Sequence, residues 1–578
     1  VWDLKTNTES RITEDTERDI KMYFWKSDLI LYLQDSGGDE NFQLFSCLPD
    51  KMQVKALTPF PGVLTQIIDR LDEDSEHILV GLNRRNSEIF DPYKLNIITG
   101  ELDLLYENPG NITSWYTDHK GLIRLAGITD GVNTSIVHRE NESEEFQELI
   151  NLSFKDTLIP QFFTFDNKNL YALSNLGRDK TAVVLFNLNQ GKEVEVLYEN
   201  PLYDVSGLNF SKKFKKITFA EYTSWKEEYY CFDEEYKQFI NDLNHKFAGF
   251  EVAITSLSDE EDKLIVRTYS DKSLGSYYFY DRNTKVITKL SDVSPWLNAE
   301  ELCDQQPIEY MSRDGIKIQG YLTLPHVADK KNLPVVINPH GGPWYRDVWG
   351  FNPEVQFLAS RGFAVLQMNF RGSTGFGRKF WELSFKQWGR TMQDDITDGV
   401  QWLINQGIAD KNRIAIYGAS YGGYACLAGL TFTPDLYAAG IDYVGVSNLF
   451  TFMNTIPPYW KPYLEMMYEM VGNPEKDKDL LAERSPALHA HQIKAPLLIA
   501  QGANDPRVNK DESEQIVNAL KRNGISVQYI LKENEGHGFA NEENQFEFYE
   551  AMEAFLNLHL KRNTTSRSQE VKIHQKQN

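Results

Sequence analysis

Arg413-Ile-Ala-Ile-Tyr-Gly-Ala-Ser-Tyr-Gly-Gly-Tyr424 is the stretch from which the rest of the chain is read. A short β-branched run, Ile414 to Tyr417, stops at Gly418. Ser420 follows, then Gly422 and Gly423, and the small residues Ala425 to Leu430 read as a helix. A serine between glycines at a strand-to-helix junction is the nucleophile elbow: a strained turn that exposes the hydroxyl. The flanking glycines let the strand and helix backbones approach. The amide of the next residue, Tyr421, is aimed where an oxyanion would form. Gly-x-Ser-x-Gly also occurs as a plain tight turn, so the rest of the chain has to decide between the two.

The chain has 578 residues, more than one core accommodates, so two or more domains are expected. Hydrophobic residues make up 41% and charged residues 25%, a globular composition with no apolar run of membrane-spanning length. A net charge of −23 argues against nucleic acid, whose phosphates call for clustered Lys and Arg. Cys47, Cys231, Cys303 and Cys426 are scattered, without metal or disulfide spacing, which suits a reducing cytoplasm. No cofactor or metal is expected, and His489 and His491 read as surface residues. The first residue is Val1, and a further upstream segment is expected.

Up to residue 299 the pattern is of short strands broken by turns. One unit repeats: a strand ending in a polar residue, a tight turn, and another short strand. Its anchors fall at positions 3, 46, 96, 138, 187, 233 and 281, about 42 to 50 residues apart, the period of a propeller blade. Seven anchors imply a seven-bladed β-propeller. The first blade is incomplete, with about 30–40 residues of it expected upstream. Two polar runs stand out. Ser224 to Tyr230 with Asp233 to Tyr236 could present carboxylates to an amine, but reads as a charged turn or short helix. Gln34 to Glu40 reads as a polar hairpin turn rather than a cation site.

A polar linker with Pro295 and Pro307 marks the change of pattern, so the propeller domain is placed at 1–299 and a second domain at 300–562. From there strands alternate with helices, which gives an α/β class with a mostly parallel sheet covered on both faces. Function in such sheets gathers at the carboxyl ends of the strands, and three candidates fall there besides Ser420. His340-Gly341-Gly342 follows a strand and can aim a backbone N–H into a site, with His340 read as structural. Asp505, just past the run Leu497 to Ala500, can orient an imidazole. His537, between Gly536 and Gly538, can serve as a base. Ser420, Asp505 and His537 stand in the α/β-hydrolase order. The lysine-rich segment 563–578 reads as a disordered polar tail.

His340-Gly-Gly-Pro343, Asn369-Phe-Arg-Gly-Ser-Thr-Gly-Phe-Gly377, Gly418-Ala-Ser-Tyr-Gly-Gly-Tyr424, Gly502-Ala-Asn-Asp-Pro-Arg-Val508 and Glu535-Gly-His-Gly-Phe539 resemble the prolyl oligopeptidase family of serine peptidases, with the acylaminoacyl-peptidase branch as the nearest match. The resemblance implies a propeller joined to an α/β-hydrolase domain and cleavage of short peptides through an acyl-enzyme. It implies Ser420 as nucleophile, His537 as base and Asp505 as its orienter, with Gly342 and Tyr421 supplying the oxyanion amides. Arg371 either binds substrate or pins the Asn369 loop through a salt bridge. Members usually carry residues ahead of the propeller, so closure of this one is open. A carboxylesterase on the same fold, or a catalytically silent scaffold, are the competing readings. Oligomeric state is not legible.

Overall fold

Turn chemistry and alternating apolar residues partition the first half of the chain into six small antiparallel sheets, at residues 22–56, 65–104, 112–152, 158–199, 205–231 and 251–292. The structure, a computed structural model, describes residues 1–561 apart from 4, 5, 7, 16 and 17; the expected polar tail lies outside them. Five of the six sheets have four strands in sequential order and the fifth in line has three. Four of the sequence anchors, Asn96, His138, Asn187 and Asp281, are the last residues of third strands, and Ser46 lies within one.

Among the described residues six sheets of three or four strands stand where seven blades were expected. The anchor at Asp3 ends a two-residue strand that pairs with Thr8–Glu9, and two strands of that length bury too little to make a blade. The anchor at Asp233 departs from the pattern in another way. Its side chain accepts a hydrogen bond from the N–H of Tyr236 and caps a helix, Glu234–Lys246, that stands where a fourth strand would. Phe239, Leu243 and Phe247, spaced four apart, turn one face of that helix onto the next sheet.

The six sheets share an orientation. In each, the loop between the second and third strands reaches the second half of the chain. In chain order, Gly37 O accepts from Asn504 Nδ2 (2.8 Å), Glu88 pairs with Lys461 (2.6 Å), and Gly131 O accepts from Met466 N (3.0 Å). Asp179 Oδ1 then accepts from Lys379 N (2.8 Å), Ser224 O from Arg346 Nη2 (2.9 Å), and Asp271 Oδ2 from Gln305 N (2.8 Å). Six successive sheets presenting equivalent loops to one surface form a propeller-like disc laid on its neighbour.

That neighbour is built on one eight-stranded sheet: β1 (Gln305–Met311), β2 (Lys317–Thr323), β3 (Leu333–Ile337), β4 (Ala364–Asn369), β5 (Ala409–Ala419), β6 (Ala439–Tyr443), β7 (Leu497–Gly502) and β8 (Val527–Lys532). Their spatial order is β1-β2-β4-β3-β5-β6-β7-β8, with β2 antiparallel to its neighbours and β3 to β8 parallel. Side chains alternate between the faces, as a period of two requires. Val335, Ile337, Ile414, Ile416, Leu497 and Ile499 join one buried cluster with α2 (Thr391–Asn405), α3 (Tyr421–Phe432) and α4 (Lys510–Arg522). Val336, Ala415, Tyr417, Leu498 and Ala500 join a second with α1 (Pro353–Ser360) and α5 (Glu542–Leu560). Truncating one of these fully buried aliphatics, Ile416→Ala for example, costs about 2–5 kcal/mol. The carboxyl ends of β3, β5, β7 and β8 carry the four motifs of the sequence.

Candidate active site

Ser420 joins β5 to α3 with φ 60° and ψ −118°, a strained conformation for a residue with a Cβ. The neighbouring sequence leaves the chain no other course. A Cβ on Gly418 would lie 2.5 Å from the backbone of Gly422, and one on Gly422 would lie 2.3 Å from Pro339 O. The backbone of α3 is thus pressed against both β5 and the turn after β3, and only glycine fits at either point. Ser420 N donates to Tyr443 O at the end of β6 (2.9 Å), which fixes the turn to the adjacent strand. Tyr421 opens α3, where its N–H has no acceptor within the helix.

The turn after β3 comes up beside the serine: a Cβ on Gly341 would sit 3.5 Å from Ser420 Cβ. His340 is buried and stacked on Phe370, ring centroids 4.3 Å apart. Its Nδ1 donates to Gly341 O (2.7 Å) and its Nε2 lies 2.9 Å from Ser373 Oγ. Burial pushes the ring down to about 4, so it is neutral at pH 7. Pinning the Gly341 carbonyl also sets the N–H of Gly342, because a trans peptide holds the two in opposite directions. His340 therefore acts on the backbone of the turn.

Asp505 follows β7 and His537 follows β8. His537 Nδ1 lies 2.7 Å from Asp505 Oδ2, and the carboxylate side chain is fully buried. The other oxygen, Oδ1, accepts from Arg507 N and Val508 N, both at 2.9 Å. The carboxylate is thereby held with one oxygen on the backbone and the other on the imidazole. Tyr443 brings the His537 loop to the serine: its carbonyl accepts from Ser420 N and its hydroxyl from Phe539 N. Among the described residues no side-chain hydrogen bond reaches the Ser420 hydroxyl. The row is closed on its His–Asp side, and the serine stands one tyrosine away from the histidine loop. Catalytic hydrogen bonds of this kind often tighten only with substrate bound. Chemically, the cluster offers a hydroxyl, an imidazole backed by a carboxylate, and two free backbone donors, which is the equipment of acyl transfer.

Arg371 is buried and donates to Asp395 (2.8 and 2.6 Å) and Asp314 (2.7 and 3.0 Å). These ion pairs tie the Asn369 loop to α2. From the sequence, Tyr443 to Ser447 read only as candidate pocket lining; the tie Tyr443 makes between the two loops, and the strand that carries it, β6, signalled by no more than the short run Ala-Gly-Ile-Asp-Tyr, escaped sequence reasoning. Beside it Asp442 is fully buried with neither oxygen hydrogen-bonded among the described residues, and burial pushes it up to about 8.

A model of the prolyl oligopeptidase family matches residues 349–563. The chain is 38% identical over 572 residues to dipeptidyl aminopeptidase BIII of Pseudoxanthomonas mexicana, covering 96% of this chain and 83% of that one. It is 29% identical over 262 residues to the acylamino-acid-releasing enzyme of Mus musculus, covering 44% of this chain and 35% of the other. A solved prolyl endopeptidase superposes with a TM-score of 0.76 at 16% identity, over 95% of this chain and 83% of that one, a likeness of fold.

Proposed function

The chain belongs to the prolyl oligopeptidase family, and we propose that it releases dipeptides from the free amino ends of short peptides, with Ser420, His537 and Asp505 as its catalytic residues. It is a serine peptidase and acts on peptides. His537 takes the proton of Ser420 as the serine oxygen attacks the peptide carbonyl. The N–H groups of Gly342 and Tyr421 receive the oxyanion. His537 then returns the proton to the departing amine, and water hydrolyses the acyl-enzyme by the same route. The observation that carries this reading is the 2.7 Å His537–Asp505 contact, held on the same sheet edge beyond β6 from a serine at φ 60°. Dipeptide release is favoured because a relative that matches across nearly the whole chain is named for a dipeptidyl aminopeptidase.

Arg371 is assigned to pinning the loop after β4, since it is buried and its guanidinium is paired with Asp395 and Asp314. The disc, taken as 1–299, is assigned the exclusion of folded proteins from the hydrolase unit, 300–562; its six loops against that unit support this. No helix among the described residues is long and apolar enough to cross a membrane, and four free cysteines support a cytoplasmic setting. A panel of short chromogenic peptides tests the specificity. Free-amino dipeptidyl substrates should be cleaved, the same sequences acylated should not, and Ser420→Ala should abolish turnover while leaving Tm unchanged. Equal cleavage of acylated ends would move the assignment to acyl-peptide release.

A further inference from the structure

We infer that the hairpin at residues 35–42 of the disc is a positioning element for the Asp505 and His537 loops. The inference rests on the catalytic assignment proposed above. By its sequence the hairpin is an ordinary polar turn. In the folded chain it lies against the two loops that carry the imidazole and its carboxylate, at four points.

First, Gly38 meets Gly536, the residue before His537, backbone to backbone. A Cβ on Gly38 would fall 2.4 Å from Gly536 N, and a Cβ on Gly536 would fall 2.0 Å from Gly38 O. Second, Asn504, the residue before Asp505, donates from Nδ2 to Gly37 O (2.8 Å), while its own N–H donates to Glu535 O (2.9 Å) and so joins the two loops. Third, Glu40 Oε2 accepts from Arg507 Nε (2.9 Å) and from Tyr459 OH (3.3 Å), and Arg507 N holds Asp505 Oδ1. Glu40 has φ 56°, a strained value, and its N–H donates to Asp35 Oδ2 (3.2 Å). Fourth, Arg18 grips Asp35 at the hairpin's root with two bonds (2.8 and 3.0 Å) and reaches Glu535 Oε2 with a third (3.2 Å). Glu535 is fully buried and also accepts from Ala540 N, Asn541 N and Asn544 Nδ2, which closes the His537 loop behind the ring.

The His537 loop needs such support. It carries glycines on both sides of the histidine and has no regular structure beyond a Gly536–Gly538 bridge. A displacement of about 1 Å in a catalytic group costs on the order of 10²-fold in rate. The other five inter-domain loops meet the hydrolase unit elsewhere: Glu88 at Lys461, Gly131 at Met466, Asp179 at Lys379, Ser224 at Arg346 and Asp271 at Gln305.

Gly38→Ala tests the inference, with Glu88→Gln as the control for loss of a contact that only joins the domains. In the purified full chain, Gly38→Ala should lower kcat about 10- to 100-fold on a dipeptidyl substrate while KM stays within about threefold. The far-downfield proton resonance of His537 Nδ1–H should broaden or shift. Glu88→Gln should match the wild type in both. If Gly38→Ala fails to fold, Glu40→Gln, which keeps shape and removes the charge held by Arg507, should show the same kcat-selective loss, and Glu40→Asp should recover part of it. A folded Gly38→Ala or Glu40→Gln with wild-type kcat and an unmoved resonance overturns the inference, as does an equal loss in Glu88→Gln. Ser420→Ala in the same assay separates the two levels: if it stays active, the catalytic assignment fails, whatever the hairpin variants do.

Discussion

Replacing Asp505 by asparagine removes one charge and almost no volume, and the surrounding hydrogen bonds decide which way the new amide must face. Oδ1 accepts from the N–H groups of Arg507 and Val508 at 2.9 Å each. Two backbone donors require an acceptor there, so the amide oxygen occupies that position and the NH2 group takes the place of Oδ2, 2.7 Å from His537 Nδ1. Facing a donor, Nδ1 must become the acceptor. The ring proton then sits on Nε2, toward the serine, and His537 cannot receive the serine proton. Holding an imidazole in the wrong tautomer costs about 10⁴ in kcat in a serine–histidine–aspartate triad, on the order of 5 kcal/mol of transition-state stabilisation. The alternative orientation would bring the NH2 against two backbone N–H groups and is worse by at least one unsatisfied buried donor, about 1–3 kcal/mol. The assay is kcat and KM on a dipeptidyl substrate from pH 6 to 10, with Tm as the check on folding. Asp505→Asn should lose about four orders of magnitude in kcat at pH 7 with KM little changed. A folded variant that keeps more than about a tenth of wild-type kcat would refute the tautomer argument.

Other variants examine the frame. His340→Phe keeps the stack on Phe370 but releases the Gly341 carbonyl, so kcat should fall about 10- to 100-fold with KM preserved, within the range for a weakened oxyanion donor. The same variant removes a ring whose folded value, about 4, lies below its ordinary 6.5. The wild type therefore keeps this contribution to stability above pH 6.5 and loses it as pH falls toward 4, by about 3 kcal/mol in all, and denaturant titrations of His340→Phe should lack that slope. Gly422→Ala drives a methyl into Pro339 O, 2.3 Å away with backbone on both sides, and should destabilise the hydrolase unit by about 3 kcal/mol or more, read as a fall in denaturant midpoint. Asp442 has its folded value raised to about 8, so its contribution to stability is complete below pH 3.8 and declines as pH rises to 8. Asp442→Asn should flatten that decline, and a stability profile parallel to the wild type would contradict it.

The sequence spoke most clearly where sterics leave one choice. Gly418, Gly422 and Ser420 are legible because the elbow tolerates no Cβ on either glycine, and their spacing survives in any one-dimensional reading. Strands β2, β3, β4, β5, β7 and β8 were legible as short runs of mainly apolar residues between turns, with β3, β4 and β7 buried throughout. β1 was not, since Gln-Gln-Pro-Ile-Glu-Tyr-Met buries little besides Gln305 and Tyr310 and reads as linker. The blade period was legible from the polar ends of third strands. The blade count was not, because the period cannot tell a two-residue hairpin at Asp3 from a sheet, or the helix capped by Asp233 from a fourth strand. The spatial exchange of β3 and β4 leaves no mark in their sequences. Nor does the destination of Glu40, whose partner Arg507 lies 467 residues along the chain.

The most direct measurement is labelling with a fluorophosphonate followed by peptide mapping. One equivalent should attach to the peptide containing Ser420, with loss of peptidase activity in proportion, and His537→Ala should slow the labelling by orders of magnitude. Full peptidase activity in an enzyme labelled at Ser420, or stoichiometric labelling at another serine, would contradict the account.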